Sequence, residues 1–335
     1  MIEQLSIDST PLINEVVLNW NSTRLACCSE DSNTVKIYKQ NERDKSNWEL
    51  SKKVTIDSPP KKLKWAHSDF GNAFAVKTVD NRIIVYKEKA FTQPNESNVP
   101  TKINRWEPIY EENASEEEAF VRDIKFAPSH FGYAISVVYD NGVLKVVSLD
   151  ESTSFEKQAT KGKVICKEKI SSKPLKAFSW KKDEGKIDAV VVCYSEQSSK
   201  NSAGSDRISL WGYKENLFLI DPLKQINDKH DSEIEDVNWA ISNGRSFHLV
   251  CSCGKSGILV WRMTINETND PVTATILDTF RDGASVFSYP VRCKFNHVAS
   301  FIATVTNTSR MRVWRKAKDW EWKGEPEIQC KKSVN

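Results

Sequence analysis

Residue types that could do chemistry occur in this chain, but not at spacings that chemistry requires. Gly254-Lys255-Ser256 has the residues that end a phosphate-cradling loop, where the lysine meets phosphate and the hydroxyl meets magnesium. Such a loop needs a glycine five positions before Gly254, where Leu249 stands, and a helix after it, where Ile258–Trp261 reads as strand. Cys251 and Cys253 alternate within one strand-like run, and Cys27-Cys28 are adjacent. A structural zinc site wants paired C-x-x-C or nearby histidines, so these thiols read as reduced core side chains. The five histidines, His67, His130, His230, His248 and His297, are scattered, and the first two fall in equivalent turns. No nucleophile elbow, shared carboxylate motif or dinucleotide loop accompanies them. The expectation is a non-enzymatic protein with no catalytic, cofactor or metal residues.

What must position the remaining side chains is a repeat. Trp65–Tyr86 (WAHSDFGNAFAVKTVDNRIIVY) returns without a gap as Phe126–Val147 (FAPSHFGYAISVVYDNGVLKVV). Self-similarity at this period marks a repeat architecture. A first pattern sets an apolar residue two before an aromatic: Leu18/Trp20, Leu63/Trp65, Ile124/Phe126, Phe178/Trp180, Val237/Trp239 and Cys293/Phe295. A second closes each copy: Val35/Ile37/Tyr38, Ile83/Val85/Tyr86, Leu144/Val146/Val147, Ile208/Leu210/Trp211, Ile258/Val260/Trp261 and Met311/Val313/Trp314. Side chains two apart share a sheet face, so both faces of each sheet carry apolar residues. A third run and a polar turn lie between the patterns, and a fourth run follows most copies. Four antiparallel strands, six times, predict an all-β, six-bladed β-propeller over residues 13–328, with a 1–12 segment before it and a 329–335 tail after it. The surplus over the usual repeat length is assigned to polar loops at Lys39–Ser46, Lys89–Lys102, Glu111–Glu118, Ser195–Asp206 and Asp221–Asp231, with Ser195–Asp206 expected to be mobile.

Composition agrees with strands and turns. The chain has 335 residues, 39% of them apolar, with 11 tryptophans and 3 methionines. A formal charge of +3 with both signs interspersed argues against nucleic-acid binding. No stretch reaches the ~20 apolar residues of a membrane helix, and the N-terminus lacks the character of a secretory leader. A cytosolic or nuclear protein is expected.

Five segments carry a family resemblance: SNWELS (Ser46–Ser51), WAHSDFG (Trp65–Gly71), FAPSHFG (Phe126–Gly132), NGRSFH (Asn243–His248) and MRVWRKAKDWEWKGEPEI (Met311–Ile328). Together they resemble the Seh-type WD-repeat nucleoporins, sisters of the Sec-thirteen subunit of the COPII coat. The chain departs from general WD repeats in lacking Gly-His and in closing no copy on Trp-Asp, so their side-chain network should be partial. The resemblance implies an open propeller completed by a blade donated from an α-solenoid nucleoporin, alongside other outer-ring nucleoporins. It implies scaffold work in the Y-shaped subcomplex at the nuclear envelope, and in the SEA/GATOR-type complex of TOR signalling at the vacuole or lysosome. Membrane association would come only through the complex. A Sec-thirteen-type COPII subunit and a peptide-binding WD-repeat adaptor are the alternatives. The expected receiving edge lies on the first copy, at Val16, Leu18, Trp20, Leu25 and Cys27, flanked by Ile2–Ile7 and the last copy.

Overall fold

The computed structural model describes residues 13–94, 100–114, 119–149, 162–183, 188–196, 205–214, 219–225, 232–265, 273–280 and 288–329, except positions 30, 46, 309, 318, 319 and 327. These residues contain no α-helix and form six antiparallel sheets. The fold is the six-bladed β-propeller that the repeat predicts. The first sheet is β1 (Glu15–Leu18), β2 (Arg24–Cys28), β3 (Thr34–Gln40) and β4 (Trp48–Thr55). The second is β5 (Pro60–Trp65), β6 (Ala73–Thr78), β7 (Arg82–Pro94) and β8 (Pro100–Asn113). The third is β9 (Val121–Phe126), β10 (Ala134–Tyr139), β11 (Val143–Ser148) and β12 (Lys163–Lys169). The fourth is β13 (Leu175–Trp180), β14 (Asp188–Glu196), β15 (Ser205–Lys214) and β16 (Leu219–Gln225). The fifth is β17 (Ile234–Trp239), β18 (His248–Gly254), β19 (Gly257–Thr264) and β20 (Thr273–Phe280). The sixth is β21 (Pro290–Phe295), β22 (Phe301–Thr306), β23 (Arg310–Lys316) and β24 (Trp322–Gly324), with β25 (Ile328–Gln329) also on β23. Among the described residues, every sheet is drawn from one contiguous stretch of chain.

The chain packs as two units, Met1–Val137 with Val146–Ile165, and Val138–Lys145 with Cys166–Asn335. In the first unit, Ala26, Cys28, Val35 and Ile37 of the first sheet pack against Leu63, Phe74, Val76 and Ile84 of the second. Each Val, Ile, Leu or Phe among them contributes roughly 1.5–3 kcal/mol when fully buried. Polar ties join the same sheets: the Glu15 carboxylate accepts from the Leu63 amide at 2.7 Å and from the Lys64 ammonium, and the Trp65 indole donates to the Val17 carbonyl at 3.1 Å. In the second unit, Ile208, Val237, Trp239 and Trp261 centre one core, and Cys251, Val260, Ile302 and Trp314 centre another.

The repeated Phe-Gly element is a short 3-10 turn at Ser68–Phe70 and again at Ser129–Phe131. Gly71 (φ 75°) and Gly132 (φ 78°) end these turns in the left-handed region, which is why glycine recurs there. Phe70 stacks on Tyr133 at 4.7 Å, so the two copies of the element touch.

Several sequence expectations need correction. Lys89–Pro94 and Pro100–Lys102 are paired strand, extending the β7–β8 hairpin through a stretch expected to be loop. The ends of Ser195–Asp206 pair as Ser195↔Asp206 and Glu196↔Ser205, and 221–225 lie in β16. Backbone pairing at a sheet periphery needs no apolar side chains, so polar composition alone does not mark a loop. Glu111–Asn113 likewise belong to β8, while 115–118 lie outside the described residues, as do 197–204 and Ile2–Ile7.

The first sheet is also out of register with the sequence pattern. Its ladder runs Val16↔Cys27, then Leu18↔Leu25 and Leu25↔Tyr38, whereas the second runs Leu63↔Val76, then Trp65↔Phe74 and Phe74↔Tyr86. Val16 and Leu18, not Leu18 and Trp20, therefore hold the positions of Leu63 and Trp65. The cause is the connection 19–23, two residues shorter than 66–72. Asn19 tightens it, its side-chain oxygen accepting from the amides of Thr23 and Arg24, both at 2.9 Å. A slip of two keeps every side chain on its face.

Candidate docking face

The ladder above places Val16, Leu18, Leu25, Cys27 and Tyr38 on one face of the first sheet, opposite the face packed on the second sheet. Leu50 joins them as the cross-strand partner of Tyr38. Leu25, Cys27 and Tyr38 form a small buried cluster with Trp48 against it. Val16 (45% exposed), Leu18 (49%) and Leu50 (40%) stand open around that floor. In the five other sheets the position of Val16 is filled by Leu63, Ile124, Phe178, Val237 and Cys293, none more than 2% exposed. The first sheet thus presents to solvent a face whose counterparts are core.

The five residues expected at the receiving edge divide into three groups. Val16 and Leu18 are open to solvent. Leu25 and Cys27 are buried and form the floor beneath them. Trp20, 57% exposed, lies past the end of β1 and packs on the His67 ring at 4.1 Å. It borders a recess of about 210 Å³ lined also by Asn19, Trp65, Ser68 and Asn72. Sequence reasoning missed Leu50, although the Trp48/Leu50 alternation in NWELS carried the signal.

The residues with chemical potential are absorbed by structure. Gly254 ends β18, and a β-carbon there would meet the Glu233 carbonyl oxygen at 1.9 Å. Lys255 then pairs with the Glu233 carboxylate at 3.2 Å, so Gly-Lys-Ser is a hairpin turn. The described cysteines are buried thiols, none of them in a disulfide. Burial, with Glu15 nearby, pushes the Cys28 thiol up to about 12, and burial raises Cys251 and Cys253, which keeps them un-ionised and poorly nucleophilic. Ser242, His248 and Asp183 do meet, but the serine sits in the middle. Its hydroxyl donates to Asp183 at 2.6 Å and lies 2.7 Å from His248 Nδ1. A nucleophilic serine needs its proton taken by the imidazole, with the carboxylate behind the ring. Here the carboxylate holds the hydroxyl proton directly, and the set instead fastens the Ser242 turn.

The WD-type side-chain network is partial, as the missing motif residues imply. Trp261 donates to Ser252 at 2.8 Å and Trp314 to Thr304 at 3.0 Å, each from the third strand of its sheet to the second. Trp211 instead bonds Ser209 on its own strand at 2.7 Å.

No family model matches the chain. Curated proteins do match it from end to end. Nucleoporin seh1 of Drosophila melanogaster is 24% identical over 324 residues, covering 96% of this chain and 86% of the relative. Nucleoporin SEH1 of Osmerus mordax is 22% identical over 327 residues (95% and 84%), and nucleoporin SEH1-A of Xenopus laevis is 22% identical over 325 residues (95% and 86%). The chain is a distant, full-length homologue of SEH1 nucleoporins. For this SEH1-like chain, the match takes in 95–96% of its length. The homology also favours a binding and structural part over an enzymatic one, in line with the residues themselves. No helix among the described residues is long and apolar enough to cross a membrane.

Proposed function

We propose that this protein is a scaffold subunit of the nuclear pore outer-ring subcomplex, holding an α-solenoid nucleoporin by accepting a strand-rich insertion against its first sheet. The observation that carries the reading is Val16, nearly half exposed at a position that is core in the five other sheets, with Leu18, 49% exposed, beside it on the same face. An apolar face of this kind is normally covered by a partner. Strands from that partner would lie over Val16, Leu18 and Leu50, with Leu25 and Cys27 beneath and Trp20 at the rim. Apolar burial between the two stacked sheets, about 25 cal/mol per Å² removed from water, would be the main source of the complex's stability. The residence is then the nuclear envelope, with membrane association only through the complex.

Affinity purification of the full chain with identification of its stoichiometric partner tests this. Recovery of an α-solenoid nucleoporin, lost in a Val16→Glu/Leu18→Glu variant, supports the proposal. Recovery of a COPII cage protein would assign the chain to the Sec-thirteen branch instead. A SEA/GATOR-type partner set would place the same docking face in TOR signalling.

A further inference from the structure

The recess beside Trp20 lies at the end of the first two sheets where the connection 19–23 meets the Ser68–Phe70 turn. Among the described residues, its lining carries no charged side chain. Some of the lining groups are already engaged. Trp65 has given its indole N–H to the Val17 carbonyl, so it offers ring surface only. Asn19 has its carboxamide held by Thr23 and Arg24. Asn72 donates from Nδ2 to the Glu88 carboxylate at 2.8 Å. A carboxylate only accepts, so the amide nitrogen must face Glu88, and Asn72 Oδ1 is left as an acceptor. The Trp20 indole N–H, the Asn21 carboxamide and the Ser68 hydroxyl have no hydrogen-bond partner among the described residues. A β-carbon built on Gly71 would meet nothing within 4 Å, so space opens beside that backbone.

We infer that this recess holds one asparagine or glutamine side chain of a partner polypeptide. A primary carboxamide is neutral and carries two N–H donors and an acceptor oxygen. Its N–H groups suit Asn72 Oδ1, its oxygen suits the Trp20 indole, Asn21 or Ser68, and its methylenes suit the two indole rings. Other side chains fit worse. A carboxylate would bring no donor to Asn72 Oδ1 and would add negative charge near Glu88. An ammonium finds no carboxylate in the lining, and Glu88 behind it is already paired with Arg24 at 3.0 Å. An apolar side chain would cover these polar groups and leave them without partners, which is costly. At about 210 Å³ the recess falls below the roughly 300–1,000 Å³ of pockets that enclose a whole small molecule, and so suits a single side chain. A free amino acid would also bring an ammonium and a carboxylate that the lining cannot pair, so the carboxamide must arrive within a chain. The exposed tryptophan at the rim is of the residue type that most often anchors such contacts. The site rests on its own lining and does not require strands over the open face of the first sheet.

Saturation-transfer NMR with the full chain tests this, using N-acetyl-glutamine methylamide as the probe beside its glutamate and methionine counterparts. The glutamine probe should bind at least fivefold more tightly than either. Ser68→Phe, which fills the recess from an exposed position, and Trp20→Ala, which removes its rim, should each weaken binding at least fivefold. Leu50→Ser on the open face should change it less than twofold, which separates this site from that one. Thermal melts confirm that each variant is folded, and either folded recess variant suffices. The inference is overturned if the glutamine probe does not bind, or if the glutamate or methionine probe binds as tightly. It also falls if folded Ser68→Phe or Trp20→Ala binds as the parent chain does, or if methyl glucoside displaces the probe at equal concentration.

Discussion

Val16 and Leu63 hold the same ladder position in consecutive sheets, yet Leu63 is fully buried and Val16 is nearly half exposed. Identical strand geometry therefore gives opposite sensitivity to charge. Glutamate at Leu63 would place a carboxylate in the shared core of the first two sheets and cost about 3 kcal/mol or more, a large share of a typical domain's stability. Glutamate at Val16 or Leu18 should change unfolding free energy by no more than about 0.5 kcal/mol and abolish partner capture. Denaturant melts and co-purification, run side by side, distinguish the two outcomes.

Glu15 should be worth more than its position near the start of the ladder suggests. Its carboxylate is largely buried and serves both the Leu63 amide and Lys64. Glu15→Ala leaves both donors without that acceptor, and charged hydrogen bonds contribute about 1.5–3 kcal/mol. A lowered denaturation midpoint with an unchanged m-value is expected.

The second and third sheets should make stability rise with pH in two separate windows, one acid and one alkaline. Burial by itself would raise the Asp123 carboxyl, but Lys62, Lys125 and Lys64 overcome it and hold the group well below the usual range. A depressed carboxylate contributes stability above its unfolded value of about 3.9, and that stability is lost as pH falls further. Lys77 acts with the same sign in an alkaline window: burial first, then Lys62 and Lys61, lower it to about 8. Its protonated form is penalised in the fold, so stability should rise between about pH 8 and the unfolded value near 10.4. Urea melts across pH should show both limbs, with Asp123→Asn flattening the acid limb and Lys77→Met the alkaline one.

How much of this was legible without coordinates follows from what each feature depends on. Six closing patterns such as Ile83/Val85/Tyr86 and Ile258/Val260/Trp261 record burial on both faces, and that is a property of local sequence. The Phe-Gly turns were readable because only glycine sits easily at φ near 75°. The register of the first sheet was not, because Trp20 resembles Trp65 while the shorter connection 19–23 decides the ladder. The third sheet's outer strand, KVICKEK, went unrecognised because its burial is slight: of its seven residues only Cys166 is buried. At the docking face, Val16 and Leu18 could be named from sequence, but their exposure is a relation to absent neighbours. Lys77 left a trace, a lysine in AFAVKT where other copies have Cys or Val, that mattered only once Lys62 was seen opposite it.

The partial WD network offers a local test. Ser252→Ala removes the acceptor of the Trp261 indole, which lies in the core. A buried donor left unsatisfied costs about 1–3 kcal/mol, whereas Ser209→Ala beneath the less buried Trp211 should cost less. Paired thermal melts read the difference.

Because each described sheet is made from one uninterrupted stretch of chain, its strands can zip together as they leave the ribosome. None of those sheets waits for a strand synthesised hundreds of codons later, and hairpins between neighbours form within microseconds while translation adds about 5–20 residues per second. The first sheet is therefore the earliest available and the longest exposed nascent element. Its open apolar face would be accessible to a partner, or to a chaperone, before the sixth sheet exists.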